Sequence, residues 1–293
     1  MNENQKLISI LLLIVLTLIW GSSFILIKQG LKVFGPDEVG AIRVMAAALF
    51  LSPAAIIQWR EVKKDDHWKL FLVGMVGTLI PAFLFATAQT QMDSSVAGII
   101  NTLTPIFTMI VGALVFKLRF RGLAVVGIIL GFAGAVILSL SRSGGAINGF
   151  NAYALLIVLA CLLYGTNLNF IKFKIRDLGA LTITSVSLLF VGILAGIYLF
   201  GFTHFTQKFS THEGAWRAFG FIVLLGCMST AIATFLFNRL VKISTPLFAS
   251  SVTYIMPIVA VAWGFLDNEK ITAGHFIGMA AIVGGVYLAN RRN

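Results

Sequence analysis

The sequence predicts an all-α integral membrane protein, with ten transmembrane helices arranged as two inverted five-helix repeats. Three observations carry this expectation. Hydrophobic residues make up 58% of the chain and charged residues only 11%, whereas a soluble domain carries roughly 25% charged residues. The apolar residues fall into runs long enough to cross a bilayer, which takes about 20 helical residues. The second half of the chain also repeats marks of the first half in the same order.

The runs span residues 7–27, 37–58, 68–91, 94–116, 122–140, 151–171, 178–201, 216–238, 244–266 and 271–290. The first has no strong basic region before it and no small-residue cleavage site after it, so it does not read as a signal peptide. It carries Trp20-Gly21-Ser22-Ser23 past its middle, and Gly-Ser pairs are flexing points in helices. The second run holds Arg43. The third holds Phe83-Leu84-Phe85. The fourth places Asn101, Thr104, Pro105 and Thr108 on one face. The fifth carries Gly127, Gly131 and Gly134. The sixth returns to the wording of the first, with Tyr164-Gly165-Thr166-Asn167 against Trp20-Gly21-Ser22-Ser23. The seventh is plainly apolar. The eighth holds Phe235-Leu236-Phe237. The ninth places Ser250, Thr253, Tyr254 and Pro257 on one face, and the tenth carries Gly274, Gly278 and Gly285. The longest polar gaps, near Arg60–Trp68 and Thr203–Glu213, leave no room for a soluble domain.

The spacing from Phe83 to Pro105 recurs unchanged from Phe235 to Pro257. The chain therefore divides at residues 1–146 and 147–293, with "GGAING" (Gly144–Gly149) as the link. Five helices per half is an odd number, so the second half enters the membrane from the opposite side. Loop charge sets the orientation. Of 22 Lys and Arg, only Lys28, Lys32, Arg142, Lys208, Arg217 and Lys270 fall on one side. Arg43 lies inside a run, and the rest lie on the side of the termini, which is read as cytoplasmic. The net charge of +11 thus marks orientation and not a nucleic-acid partner. Inverted repeats can exchange conformations, opening one site first to one side and then to the other.

The stretch Trp20-Gly21-Ser22-Ser23-Phe24, together with Leu103-Thr104-Pro105, the Arg43-bearing second run, Pro257 and the Gly127/Gly131/Gly134 run, resembles the drug/metabolite transporter superfamily, specifically its EamA-type ten-helix permeases. The resemblance covers essentially the whole chain. It implies a central cavity lined mainly by helices 1, 3, 4, 6, 8 and 9. It also implies a secondary transporter of small metabolites such as amino acids, acting as an exporter in a bacterial-type plasma (inner) membrane, without a cofactor. An uncoupled facilitator or channel, or a drug-efflux permease, are the alternatives.

The substrate-binding candidates are Trp20, Ser23, Asn101, Thr104, Tyr164, Asn167, Ser250, Thr253 and Tyr254. Matched helix interruptions at Pro105 and Pro257 point to a midplane site, although Ser, Thr and Asn also join helices through bonds of about 0.6–2 kcal/mol. Asn167 and Asn169 point about 200° apart, so only one can face a cavity. Gly21, Pro105, Gly165, Pro257, Phe83 and Phe235 are the hinge or gate candidates, with packing as the plainer role for the phenylalanines. Arg43 lies about 9 Å into its run. It either attracts a carboxylate or, more plainly, reaches the headgroups. Lys28 and Lys172, at equivalent ends of the two matched stretches, are gate residues or interfacial anchors.

All eleven acidic residues fall at termini, in loops or at run edges. A proton antiporter for cationic drugs would need a mid-membrane carboxylate, so neutral, zwitterionic or anionic cargo fits better. The glycine faces of runs five and ten form a scaffold or a homodimer contact. Cys161 and Cys227 read as packing residues. An enzyme is excluded by pattern, since His67, His204, His212 and His275 make no HExxH spacing and no GxSxG is present. No metal site is expected. The bilayer and a small-molecule substrate are the expected partners.

Overall fold

The computed structural model describes residues 3–118, 122–140, 151–244, 249 and 252–290. Among the described residues there are helices and turns and no strand. Along the chain the main helices are α1 (Leu7–Gly30), α2 (Pro36–Glu61), α3 (Lys64–Ala88), α4 (Ser94–Phe116), α5 (Gly122–Leu140), α6 (Ala154–Lys174), α7 (Ala180–Phe202), α8 (Ala215–Ile243), α9 (Val252–Leu266) and α10 (Ala273–Asn290). A short helix, Phe205–Thr211, follows α7. Among the described residues, α1–α4 and α6–α8 are long and apolar enough to cross a membrane, and α9 and α10 contain shorter apolar stretches. Leu49, Ile56, Leu114, Ile197, Phe202 and Phe265 stand fully outward on the helix surfaces. A belt of large exposed apolar chains suits lipid and not water.

Helices are what this solvent permits, because a bilayer offers no partner to a free N–H or C=O. Prolines breach that rule locally, and the chain repairs the breach nearby. Pro53 removes the bond to the Leu49 carbonyl, and the Ser52 hydroxyl donates to it instead at 2.8 Å. Pro105 frees the Asn101 carbonyl in the same way, and the Thr104 hydroxyl donates to it at 2.8 Å. In both cases a hydroxyl residue stands directly before the proline.

Close helix crossings are made by glycine. A Cβ on Gly21 of α1 would lie 2.5 Å from Val259 Cβ of α9. One on Gly165 of α6 would lie 2.6 Å from the Thr108 backbone nitrogen of α4. Between α5 and α10, a Cβ on Gly134 would meet the Gly278 carbonyl at 2.7 Å, and one on Gly285 would meet the Gly127 carbonyl at 2.5 Å. These faces pack on each other within the chain, so they serve as scaffold.

Contacts also give helix directions. Thr17 of α1 donates to the Val252 carbonyl at the start of α9, and Lys28 pairs with Asp267 just past its end, so α1 and α9 run parallel. Gly98 abuts Ala260 and Ser95 abuts Gly264, so α4 opposes α9. Cys161 lies against the Ile100 carbonyl, and Asn169 donates to the Thr108 carbonyl, so α6 follows α4. The two matched stretches, in α1 and α6, therefore run in opposite directions.

Gly165→Ala tests the crossing of α4 and α6. The added methyl meets backbone, which cannot rotate away, and overpacking of this kind costs about 1–3 kcal/mol. The variant should melt several degrees below wild type in detergent. Gly220→Ala, where a Cβ meets nothing within 4 Å, should not.

Candidate functional site

Among the described residues and away from the helix ends, winding departs from the α-helix at four places. α1 breaks at Ser22. α3 widens into a π-helical segment at Met75–Leu79, just before Pro81. α4 tightens into a 3-10 turn at Asn101–Leu103. α8 is π-helical from Leu225 to Ile232. All four border one cavity of about 100 Å³, large enough for several waters or a small solute.

α1 contributes Trp20, Ser23, Phe24 and Ile27 to the lining. α2 contributes Arg43, and α3 contributes Gly77, Thr78 and Phe85. Asn101 and Thr104 come from α4, and Tyr164, Asn167 and Leu168 from α6. α8 supplies Ser229, Thr230, Thr234, Phe237 and Asn238, and α9 supplies Thr253 and Met256. The π-helical turn of α8 is the anchor for three of these. Trp20 Nε1 donates to the Ser229 carbonyl at 2.8 Å, Ser23 Oγ to Ser229 Oγ at 2.7 Å, and Arg43 Nε to Thr230 Oγ1 at 2.7 Å. Trp20 also meets Phe237 edge to face, with ring centroids 4.8 Å apart. The lining combines aromatic side chains (Trp20, Phe24, Phe85, Tyr164, Phe237) with hydroxyl and amide residues.

The structure thus brings together Trp20, Ser23, Asn101, Thr104, Tyr164, Asn167, Thr253 and Arg43. Ser250 and the side chain of Tyr254 lie outside the described residues. Asn169 turns away from Asn167 and donates to the Thr108 and Gly165 carbonyls. Phe83 does not line the cavity. It packs beside Gly40, with its ring 5.6 Å from that of Tyr198, and Phe235 is likewise absent from the lining. Phe85 and Phe237 take the lining positions, because residues two apart on a helix point about 200° apart. Gly21 and Gly165 are crossing points. Pro105 and Pro257 lie buried in cavity-lining helices.

Arg43 does not extend to the headgroups. Its side chain lies along the cavity wall, half-buried, held by Thr230. Insertion scales put an arginine at a helix centre at about 2.5–3.5 kcal/mol, so a position facing a polar cavity is the expected refuge. Sequence reasoning missed Thr78, Ser229, Thr230, Thr234 and Asn238. The signal was present: hydroxyl and amide residues in the middle of an apolar run, the same pattern that singled out α4.

Lys28 lies beside the C-terminal end of α9, and Lys172 beside the C-terminal end of α8. Lys28 Nζ lies 2.7 Å from Asp267 and 2.8 Å from Glu269. Glu269 also accepts from the Ser94 hydroxyl at 2.6 Å and from the Ser94 and Ser95 backbone nitrogens at 3.0 and 3.1 Å. The cluster ties α1, α4 and the α9–α10 connection together. Burial by itself would raise the Glu269 carboxyl, but hydrogen bonds from Lys28, Ser94 and Ser95 and the Lys28 charge outweigh it and hold the group at about 2. Lys172 donates to the Ser244 and Val241 carbonyls at 2.6 and 3.1 Å.

Comparison with known proteins agrees with this architecture. The model of the EamA-like transporter family matches residues 7–140 and again 151–291. A protein of Archaeoglobus fulgidus, named an uncharacterized transporter, is 27% identical over 274 residues, covering 93% of this chain and 95% of that one. The inner membrane transporter YedA of Escherichia coli K12 is 26% identical over 287 residues, covering 94% and 88%. A WAT1-related protein of Arabidopsis thaliana is 24% identical, covering 96% and 88%. One solved crystal structure shares the fold, with a TM-score of 0.67 at 18% identity over 96% of both chains.

The Glu269 cluster has a defined pH signature. A carboxyl depressed in the folded protein contributes its full stability above its ordinary value of 4.5 and loses it as pH falls toward about 2. Glu269→Gln should therefore melt below wild type at pH 7. The gap between the two melting curves should close as pH drops from 4.5 toward 2. A gap that persists at the lowest pH would mean that the charge of Glu269 is not what holds the cluster.

Proposed function

The chain belongs to the EamA-like transporter family, and on that premise we propose that it is a secondary transporter working by alternating access. In this reading it moves small metabolites such as amino acids out of the cell across a bacterial-type plasma membrane, with both termini cytoplasmic. The carrying observation is the central cavity, bordered by residues of both halves and by the π-helical and 3-10 segments of α3, α4 and α8. The opposed directions of α1 and α6 support two inverted five-helix repeats. The glycine crossings add to this: Gly21 on Val259 and Gly165 beside Phe107 are the same contact written in each half. The charge distribution supports the stated orientation. Among the described lining residues there is no carboxylate, which supports neutral, zwitterionic or anionic cargo.

Alternating access predicts counterflow. Purified protein in liposomes loaded with a mixture of amino acids and small metabolites should release some of them selectively and saturably, as read by mass spectrometry. External substrate should accelerate that release. Asn101→Ala and Thr253→Ala each remove a lining polar group worth about 1 kcal/mol, so each should slow efflux roughly fivefold to tenfold without changing expression. Efflux that is selective but neither saturates nor exchanges would make the protein a facilitator.

A further inference from the structure

Resting on that reading of the cavity, we infer that its cargo carries a carboxylate on a small apolar body, with the carboxylate seated on Arg43. Three observations converge on this ligand chemistry.

The first is charge. Arg43 is the one charged side chain among the described lining residues, and it forms no ion pair with a described residue. Lys28 and Lys208, nearer the ends of the bundle, are each matched by a buried carboxylate, Glu269 and Glu38. The deepest cation lacks what the shallower ones have. A site of this kind repels an ammonium and favours an anion.

The second is direction. Arg43 Nε is committed to Thr230 Oγ1 at 2.7 Å. That bond fixes the guanidinium plane, and the two terminal nitrogens make no hydrogen bond to the described residues. A planar two-pronged donor matches the two oxygens of a carboxylate.

The third is the balance of hydrogen-bonding groups around it. The lining hydroxyls of Ser23 and Thr104 are already engaged, Ser23 Oγ within hydrogen-bond distance of the Ile19 carbonyl and Ser229 Oγ, and Thr104 Oγ1 donating to the Asn101 carbonyl. The Tyr164 hydroxyl, close enough to Arg43 to interact electrostatically, and the Asn101 and Asn167 amide nitrogens donate to no described residue. The Tyr164 hydroxyl, close to Arg43, adds a donor suited to a carboxylate oxygen, whereas the Asn167 and Asn238 amide oxygens, which accept from no described residue, leave acceptors for a donor elsewhere on the ligand. Its apolar part would lie against Trp20 and Phe237, the edge-to-face pair that also lines the cavity.

The test uses four molecules of nearly one shape: butyrate, butyramide, butylammonium and 2-aminobutyrate. Each is added at pH 7 to the purified full chain in detergent, with sodium chloride matched throughout, and affinity is read from the concentration dependence of the melting temperature. Butyrate and 2-aminobutyrate should bind at least tenfold tighter than butyramide, and butylammonium should not stabilise the protein. Arg43→Gln should lose the tenfold preference and keep the butyramide affinity, and Arg43→Lys should recover part of it. The wild-type series decides the matter even if Arg43→Gln does not fold. Equal binding of butyrate and butyramide, or tightest binding of butylammonium, overturns the inference. Counterflow of 2-aminobutyrate in liposomes separates the two claims. Anion-selective binding without counterflow leaves the Arg43 site standing and removes the transport reading. Counterflow without anion preference removes the Arg43 site and leaves transport standing.

Discussion

Inside a bilayer a backbone N–H or C=O must find its partner within the protein, and this constraint organises the whole molecule. It makes every spanning segment helical. It also makes any break in a helix expensive unless the break faces something polar. The breaks at Ser22, Met75–Leu79, Asn101–Leu103 and Leu225–Ile232 all face the same internal space. Irregular backbone and polar side chains therefore share one location. The Ser229 carbonyl, in the π-helical turn of α8, takes the Trp20 indole N–H. Next to it, the Thr230 hydroxyl takes Arg43 Nε. A loosened helix has become the surface on which the lining of its neighbours is oriented.

The same solvent removes the usual reason for helices to associate, since lipid is as apolar as leucine. Close approach of backbones takes over. The glycines at the α1–α9, α4–α6 and α5–α10 crossings let main chains come within van der Waals range. Those contacts fix cavity-lining helices to one another at α1–α9 and α4–α6, and join α5 to α10. A side chain at these positions would wedge the helices apart even though none of them touches cargo.

Much of this was readable from the residues. Composition and run length determine the class of solvent, and so the helices. The prolines and the hydroxyl and amide residues near them in α4 and α9 pointed to the cavity because a proline must free a carbonyl. Other features left no such mark. The π-helical segment of α8 contains no proline, so Ser229 and Thr230 looked like ordinary polar residues in an apolar run. The choice between Phe83 and Phe85 is a matter of helical phase, and a π turn upstream shifts that phase. Arg43 sits at a depth from which an arginine can face either way, and only its partner Thr230, far along the chain, decides it. Pairing across that distance is also why the cluster of Lys28 with Asp267 and Glu269 was visible only as isolated loop charges.

That cluster and its counterpart at Lys172 differ in kind. One gathers a single cation with two anions. The other holds Lys172 and the neighbouring Lys242 against carbonyls alone. Fixed charge is therefore distributed unequally, ion-paired around Lys28 and cationic around Lys172 and Lys242, with the cavity between them. A charged solute crossing the bundle meets a sloping potential and not a symmetric well. Such a slope cannot alter the concentrations at which flux stops. It would make the two ends unequal barriers to a charged solute, the easier end for an anion being the harder one for a cation.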